Sequence, residues 1–238
     1  MLKLIPIIIK MGTPKYNPVA VLGTYESAAR QHTKDHEPIR AFHTLEKLIK
    51  EYQFETILDI GAGEGLHANY LREHGKNVTT CDFGKSGYYK RSNHVLGFEG
   101  DYMDASFPCQ YDAIWCAHVL EHQLNVNLFL RKVFTDLKEE GILAVTVPPR
   151  KPDVVGGHLS IWNAGILLYN LVMAGFDCSE ARVKQYGYNI SVLVRKKPAD
   201  LTSLNLSHDF GDIEKLSHLF PFPAKHGFDG DIMEVNWN

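Results

Sequence analysis

Several side chains that can transfer protons follow one apolar segment, residues 111–117. His118, Glu121 and His122 come directly after it, and His158 lies in a glycine-containing loop further along the chain. An imidazole titrates near physiological pH, so it can accept a proton from a reacting hydroxyl group and release it again. We therefore predict His122 as the first candidate for a general base and His158 as the second, with Glu121 as a further candidate catalytic residue. The alternative is that these side chains only brace the loop and cap the next helix.

A glycine-rich turn lies at residues 58–65, with the sequence Leu58-Asp59-Ile60-Gly61-Ala62-Gly63-Glu64-Gly65. Glycine has no Cβ, so such a turn bends tightly and lets the backbone approach a ligand closely. A dinucleotide-binding fingerprint would need a third glycine where Leu66 stands, and a P-loop would need Gly-Lys followed by Ser or Thr. Neither pattern is present, so the turn indicates a nucleotide-type cofactor of another kind.

Strands and helices alternate around these residues, which favours a parallel sheet with helices on both faces. The apolar patterns predict helices at 38–52, 66–73, 126–137 and 160–174, the last capped by Ser160, and strands at 56–60, 77–81, 95–98, 111–117 and 142–147. Two more strands, 178–185 and 189–194, meet at Tyr186-Gly187 as an antiparallel hairpin. The predicted fold class is therefore α/β, with a doubly wound, mostly parallel seven-stranded sheet that ends in an antiparallel hairpin. Ligands bind such sheets beyond the carboxyl ends of the strands, where the strand order reverses.

Residues 59–65 resemble motif I of the class I S-adenosylmethionine-dependent methyltransferases. Asp82 ends the second strand, where the family's acidic residue accepts hydrogen bonds from two ribose hydroxyl groups. Asp101-Tyr102 follow the third strand, where the family binds the adenine, and residues 112–122 resemble the family's fourth-strand motif. The match covers about 56–197 and implies a Rossmann-like methyltransferase fold with S-adenosylmethionine as the cofactor. The residues that the resemblance assigns to this cofactor are Asp59, Gly61, Ala62, Gly63, Asp82, Phe83, Asp101, Tyr102 and Ala117.

Two of these assignments have alternatives. Phe83 either packs beside the adenine or caps the hydrophobic core. Asp104 can serve in place of Asp101, because it lies three residues further along the same segment.

The resemblance also implies transfer of a methyl group to a small-molecule acceptor. We expect O-methylation of a small polar molecule, such as a sugar or a glycan-pathway intermediate. We expect the acceptor pocket to use the loop at 148–162 and four side chains near the N-terminus, Tyr16, Tyr25, His32 and His36. N-methylation is the alternative among enzymes, and a cofactor-binding protein without transferase activity is the alternative outside them. Aminopropyl transfer would need more acidic residues after the fourth strand, where this sequence has histidines.

A divalent metal is a further alternative at the histidine cluster. Ubiquinone-pathway and small-RNA O-methyltransferases have a similar E-x-x-E-H arrangement plus a later His, and there those positions hold a metal that would lower the pKa of the acceptor hydroxyl group. His118 replaces the first Glu of that arrangement in this chain. We therefore expect base catalysis without a metal.

Composition limits the partners and the compartment. The chain has 238 residues, a formal net charge of −3 and 45% hydrophobic residues, so it has no electrostatic footprint for nucleic acid or an anionic membrane. The apolar N-terminus, residues 1–11, is too short to span a bilayer and is predicted to be an edge strand or a docking arm. Four cysteines without C-x-x-C spacing suit a reducing compartment, so we predict a cytoplasmic protein. Three segments are predicted: an arm at 1–37, a cofactor-binding domain at 38–197, and an extension at 198–238 packed on the domain.

Overall fold

One sheet contains all eight strands found in the described part of the chain. The computed structural model describes residues 39–91 and 97–238. Its strands are β1 (Thr56–Ile60), β2 (Asn77–Asp82), β3 (Phe98–Glu99), β4 (Tyr111–Ala117), β5 (Leu137–Val147), β6 (Arg182–Tyr186), β7 (Asn189–Arg195) and β8 (Glu234–Val235). The strand order is β3-β2-β1-β4-β5-β7-β6-β8. The predicted arm at 1–37, the four acceptor-pocket residues within it, and the first half of the strand predicted at 95–98 lie outside the described residues.

Helices cover both faces of this sheet. They are α1 (Phe42–Glu51), α2 (Leu66–Glu73), α3 (Val126–Asp136), α4 (Ala164–Met173) and α5 (Asp212–Leu216). Successive residues of a strand point to opposite faces, and the core divides accordingly. On one face Ile57 and Trp115 pack with Leu45 of α1 and Leu71 of α2. On the other face the neighbouring strand residues, with Leu58 among them, pack against α3 and α4.

The strand order reverses between β1 and β4. β1 pairs in parallel with β2 on one side and with β4 on the other. Ile60 and Cys116 are partners in the register, so the turn after β1 and the turn after β4 leave the sheet side by side. The glycine-rich turn and the histidine cluster therefore meet at one edge of the sheet, although their sequence positions are far apart.

The predicted fold class is confirmed, with one addition. β5 and β7 are antiparallel, as are β6 and β7, so the predicted terminal hairpin is present. The sheet has an eighth strand because β8 pairs antiparallel with β6, with Val183 opposite Val235. Such a short strand has too little periodicity to be predicted from sequence, and its pairing depends on how the C-terminal segment folds back.

Three element boundaries differ from the predictions for physical reasons. α4 begins at Ala164, and its N-cap is Asn163, whose side chain accepts a hydrogen bond from the amide of Ile166 at 2.8 Å. The predicted cap, Ser160, stays in a loop because the amides of residues 159 and 160 donate to the carbonyl oxygen of Glu121. The first hairpin strand begins at residue 182 and not at 178, since residues 178–181 form a turn in which the amide of residue 181 donates to the carbonyl oxygen of residue 178 at 2.9 Å. β5 begins at residue 137, five positions before the predicted start.

The C-terminal residues pack against the same unit, which spans residues 37–238. Leu216, Leu219 and Phe220 join the core on the α3 and α4 face, and Trp237 joins the core on the α1 face. The division into arm, domain and extension stays a prediction. All four cysteines are free thiols, and only Cys109 is exposed. No helix within the described residues has the length and apolar character needed to cross a membrane.

Candidate active site at the carboxyl ends of the parallel strands

The turn after β1 needs its glycines. Gly61, Gly63 and Gly65 all have positive φ angles, of 75°, 53° and 80°, a region that residues with a Cβ rarely adopt. A Cβ at Gly61 would also overlap the Cγ2 methyl group of Val119, which follows β4. The amide of Gly61 donates to the carbonyl oxygen of Cys81 at 2.8 Å, so the turn is tied to the end of β2 as well. The glycines thus allow the turn after β1 to contact both the end of β2 and the segment after β4.

Asp82, the last residue of β2, holds this turn in place. Its carboxylate is buried and accepts hydrogen bonds from the amides of Gly63 at 2.8 Å and Gly84 at 2.9 Å, one on each oxygen. An ionised carboxylate has about four acceptor positions. About two positions therefore remain for donors from a ligand at the crevice.

Asp59 lies beneath the turn and is 1% exposed. Burial raises the pKa of this carboxyl group to about 7, and the nearby negative charge of Asp82 adds to the shift. Its Oδ2 atom has no hydrogen-bond partner among the described residues. A buried polar atom without a partner costs free energy, so a cationic or hydrogen-bond-donating group of a ligand would be stabilised here.

Phe83 directly follows β2 and Ala117 ends β4, and their assignment to the cofactor stays a prediction. The ring of Phe83 is 54% exposed, with the ammonium group of Lys85 4.5 Å above it, so it does not cap the core. Ala117 is half-buried and ends β4, next to the turn. Asp101 is exposed, and one of its carboxylate oxygens accepts a hydrogen bond from the amide of Met103 at 2.9 Å.

Tyr102 remains a predicted cofactor contact, but not through an exposed ring. Its side chain is buried, its ring packs on Phe129 of α3, and its hydroxyl group donates to Asp136 at 2.7 Å. The neighbouring side chain of Met103 is exposed instead, and it is the apolar group available to a ligand at this position.

A buried carboxylate lies at the centre of the histidine cluster. Glu121 belongs to a 3-10 turn, Leu120–His122, and its side chain is fully buried. Neither carboxylate oxygen has a hydrogen-bond partner within the described residues. Two imidazole nitrogens lie at ion-pair distance from Oε1: Nδ1 of His118 at 3.5 Å and Nε2 of His122 at 3.7 Å. The negative charge of Glu121 is therefore surrounded by groups that can carry protons.

The hydrogen bonding of His122 defines which nitrogen can act as a base. Its Nδ1 lies 2.8 Å from the main-chain oxygen of Gly157. A carbonyl oxygen only accepts, so Nδ1 carries the hydrogen and Nε2 of the neutral ring has the lone pair. The ring of His158 packs edge to face against His122 with the centroids 5.0 Å apart. Burial lowers the pKa of His158, which favours the neutral form of that ring.

The same residues include a group that can bind a metal. One ligand atom each from Glu121, His122 and His158 lie within 4.8 Å of one another. Two imidazoles and one carboxylate are a donor set that suits several divalent transition metals. His118 is not part of this group, and its Nε2 atom lies 2.9 Å from the side-chain oxygen of Asn189.

With this geometry in view, the comparisons with known proteins are decisive for the domain. Residues 58–145 match the family model described as a methyltransferase domain. This part of the chain is a methyltransferase domain. The predicted resemblance to the class I methyltransferases is thereby confirmed, and the matched residues run from β1 to β5.

Curated relatives of this methyltransferase domain act in one pathway, according to their names. The ubiquinone biosynthesis O-methyltransferase of Rickettsia felis is 29% identical over 119 residues, which are 46% of this chain and 49% of that protein. The enzyme of the same name from Rickettsia bellii is 30% identical over 122 residues, with 46% of this chain and 50% of that protein covered. The chain therefore spans about half the length of the curated relatives it matches.

Solved structures share the fold of the methyltransferase domain. The 1,6-didemethyltoxoflavin-N1-methyltransferase of Burkholderia thailandensis, solved with 1,6-didemethyltoxoflavin and S-adenosylhomocysteine, has a TM-score of 0.55 at 18% identity. It covers 79% of this chain and 94% of that protein. Human N-acetylserotonin methyltransferase, in complex with S-adenosylmethionine, has a TM-score of 0.51 at 19% identity and covers 64% of this chain and 51% of that protein.

Sequence reasoning missed two residues that contact the histidines of this cluster. The main-chain oxygen of Gly157 orients His122, and the side chain of Asn189 contacts His118. The glycine pair at 156–157 beside His158 was a signal for an unusual backbone near the site. Asn189 had no such signal, because it resembles any polar residue at the start of a strand.

Proposed function

We propose that this chain is an S-adenosylmethionine-dependent methyltransferase that methylates a hydroxyl group of a small-molecule acceptor. The observation that carries this proposal is the position of Glu121. It is a fully buried carboxylate with no hydrogen-bond partner among the described residues, and it lies 3.7 Å from Nε2 of His122. That pairing at the carboxyl ends of the strands can remove a proton from a hydroxyl group. The confirmed methyltransferase domain supports the same conclusion.

The chain's residues fit the cofactor that the family uses. Asp82 would accept hydrogen bonds from the ribose hydroxyl groups with its remaining positions, and Asp59 would face the amino group of the methionine part. The backbone of Gly61, Ala62 and Gly63 would lie along the cofactor, since no side chain blocks the approach. At the adenine end, Phe83, Asp101, the main chain of Tyr102 and Met103 would provide the contacts, and Ala117 would border the methyl group. When bound, S-adenosylmethionine supplies an electrophilic methyl group on a sulfonium centre.

The chain's own task is to orient the acceptor and take its proton. Nε2 of His122 has the lone pair because Nδ1–H donates to Gly157, so the acceptor hydroxyl would bind at Nε2. The imidazolium ion that forms is stabilised by Glu121 across 3.7 Å. His158 borders the same space and is the second candidate for the base. A bound acceptor that excludes water from these residues would strengthen each of these electrostatic interactions.

The rim of the crevice bears on the acceptor class. Leu124 is 94% exposed just after His122, and Leu159 and Ile161 are exposed just after His158. The amide of Leu159 donates to the carbonyl oxygen of Glu121 at 2.7 Å, so these two segments are adjacent. Exposed apolar groups beside a site favour a ligand with an apolar face. We therefore propose that the acceptor carries its hydroxyl group on an apolar or aromatic scaffold. This class is favoured over the predicted sugar or glycan-pathway intermediate.

A screen for methyl transfer tests the proposal. Purified protein is incubated with S-adenosylmethionine and either phenols or nucleotide sugars, and release of S-adenosylhomocysteine is measured. We expect turnover with at least one hydroxyl compound, first among the phenols. His122→Gln and His158→Gln should each lower turnover, by about 100-fold for the residue that acts as the base. Binding of S-adenosylhomocysteine without any turnover would instead support a non-catalytic cofactor-binding protein. Turnover confined to amines would support N-methylation.

Metal-assisted catalysis is the second candidate, because Glu121, His122 and His158 bring one ligand atom each within 4.8 Å of the others. If a divalent metal binds there, it lowers the pKa of an acceptor hydroxyl group, and His122 serves as a ligand in place of a base. Titration with Zn²⁺ or Mn²⁺ by calorimetry tests binding directly, with Glu121→Gln as the comparison. Turnover that is unchanged after treatment with a chelator, together with no heat of metal binding, would reject this candidate.

A further inference from the structure

We propose that His118 and Asn189 are positioning residues that hold Glu121 in its active orientation. The proposal deepens the function given above and rests on it, because it assigns a role to two residues behind the candidate base. Neither residue faces the acceptor in this arrangement. They act through Glu121, which in turn faces His122.

The backbone of His118 is the first evidence. Its φ angle is 56°, in the left-handed region that residues with a Cβ rarely adopt, and such strain is retained where surrounding contacts enforce it. Its amide donates to the carbonyl oxygen of Thr146, near the end of β5, at 2.8 Å. The neighbouring strand thus fixes the reversal of the chain directly after β4. The reversal turns the imidazole toward both β7 and Glu121.

The surroundings of the imidazole are the second evidence. The ring is nearly buried and stacks on the ring of Tyr188, with an interplanar angle of 22° and centroids 6.0 Å apart. Its two nitrogens face two different groups: Nε2 lies 2.9 Å from the side-chain oxygen of Asn189, and Nδ1 lies 3.5 Å from Oε1 of Glu121. Asn189 is itself buried at the start of β7. The buried amide of Asn189 thus contacts the imidazole of His118, which in turn contacts the buried carboxylate of Glu121.

The hydrogens on the two imidazole nitrogens of His118 determine which group donates in each contact. A carboxylate only accepts, so the contact with Glu121 is favourable when Nδ1 of His118 carries a hydrogen. With the side-chain oxygen of Asn189 facing it, Nε2 donates a hydrogen to that oxygen. With the amide turned over, its NH₂ group donates to Nε2 instead. In both cases the Nδ1–H group points at Glu121.

The contact between His118 and Glu121 also affects how Glu121 interacts with His122. The same oxygen of Glu121 lies 3.5 Å from His118 and 3.7 Å from His122. A donor on the His118 side fixes the orientation of this buried carboxylate, because a buried charged group without a partner is unfavourable. Glu121 can then stabilise a positive charge on His122. Loss of His118 or Asn189 should therefore damage catalysis more than binding.

Two substitutions at each position separate positioning from packing. His118→Asn shortens the side chain, yet Asn tolerates the left-handed backbone better than most residues. His118→Gln is the conservative variant, since its longer amide can still donate to Glu121. Asn189→Leu removes the amide at similar volume, and Asn189→Ser keeps a hydroxyl group in its place. His74→Gln, on the exposed end of α2, is the matched histidine control.

The kinetic readout is the division of the effect between kcat and binding. We expect His118→Asn and Asn189→Leu to lower kcat by about 10-fold to 100-fold, the usual cost of losing a group that orients a reacting one. The Kd for S-adenosylhomocysteine should stay within about twofold, and His118→Gln should recover part of the lost kcat. A kcat for all four variants within about twofold of the unchanged protein would overturn the proposal.

A spectroscopic readout does not depend on turnover. The ¹⁵N shifts of the imidazole rings report which nitrogen carries a hydrogen, and the cofactor-free protein is sufficient for the measurement. We expect a protonated Nδ1 on His118, and a change in the Nε2 signal of His122 in Asn189→Leu and His118→Asn. Signals of His122 that stay unchanged in both folded variants would overturn the proposal, even if thermal stability falls. A protein with these signals but no methyl transfer would reject the proposed function and leave the positioning network supported.

Discussion

Nδ1 of His122 lies 2.8 Å from the main-chain oxygen of Gly157, so a loop after β5 orients a side chain that follows β4. Gly157 has a φ angle of 82°, and a Cβ there would stand 3.0 Å from the same nitrogen. The contact between the carbonyl group and the ring is thus made by a residue whose φ angle favours glycine. The lone pair on Nε2 of His122 therefore depends on a glycine 35 residues away.

Gly157→Ala should uncouple the loop from His122. A left-handed alanine costs about 1–2 kcal/mol, and the added methyl group is too close to Nδ1. We expect a kcat lower by about 10-fold with the affinity for S-adenosylhomocysteine retained. Gly156→Ala is the matched control, because a Cβ there meets no atom within 4 Å. Equal rates for the two variants would show that Gly157 does not orient the base.

Asp82→Ala should weaken cofactor binding directly. The carboxylate would lose its bonds to the ribose hydroxyl groups, and the amides of Gly63 and Gly84 would lose their acceptor. We expect an affinity for S-adenosylmethionine lower by about 1.5–3 kcal/mol, measured by calorimetry. Glu73→Gln, an exposed change at the end of α2, should leave the affinity unchanged. An Asp82→Ala variant that binds normally would remove Asp82 from the cofactor site.

Asp59 should make stability depend on pH in the cofactor-free protein. Its pKa in the folded state is about 7, above the ordinary value of 3.8, so the folded protein holds a proton that the unfolded chain releases. The resulting stability is complete below about pH 4 and is lost as the pH rises toward and through 7. Asp59→Asn puts an uncharged side chain at this position at every pH. Between pH 4 and pH 8 the variant should gain up to about 4 kcal/mol relative to the unchanged protein.

Chemical denaturation at pH 4, 6 and 8 measures this difference. The comparison between the two proteins cancels the other titrating groups, which are common to both. A stability difference that does not change with pH would mean that Asp59 is ionised in the folded state. The same variant should bind S-adenosylmethionine more weakly if Asp59 faces its amino group, and calorimetry at pH 8 tests that point.

The parts of the site that sequence could predict share a local cause. The turn at 58–65 and Asp82 are set by where strands end, and those ends are visible as changes from apolar to glycine or acidic residues. A parallel sheet then places consecutive strand ends at one edge without further information. For this reason the fold class and the position of the histidine cluster were predicted from the sequence alone.

The remaining features depend on contacts between distant segments. Tyr102 follows Asp101 as a ligand-facing residue would. Its hydroxyl group instead donates a hydrogen bond to Asp136 on α3, so its side chain packs in the core. Ser160 has the residue type of a helix cap, but the carbonyl oxygen of Glu121 holds its segment in a loop. His118 and Asn189 are 71 residues apart. No local pattern reports such pairings, so they could be found only in the folded chain.

The C-terminal segment makes a similar long-range contact with the start of α4. The amide of Gly165 donates to the carbonyl oxygen of Gly230 at 2.9 Å, and Arg150 forms an ion pair with Asp231. A Cβ at Gly230 would stand 2.6 Å or less from the side-chain nitrogen and oxygen of Asn163, the N-cap of α4. This contact therefore anchors both ends of the loop that carries His158.

Gly230→Ala should loosen that loop without touching the reacting residues. The added methyl group displaces the side chain of Asn163, and loss of an N-cap costs about 1 kcal/mol before any strain is counted. We expect a lower free energy of unfolding by about 1–3 kcal/mol and a higher KM for the acceptor, with cofactor affinity unchanged. Gly87→Ala is the control, since a Cβ there meets no atom within 4 Å. If KM stays constant while stability falls, the C-terminal segment supports the fold alone and has no part in binding the acceptor.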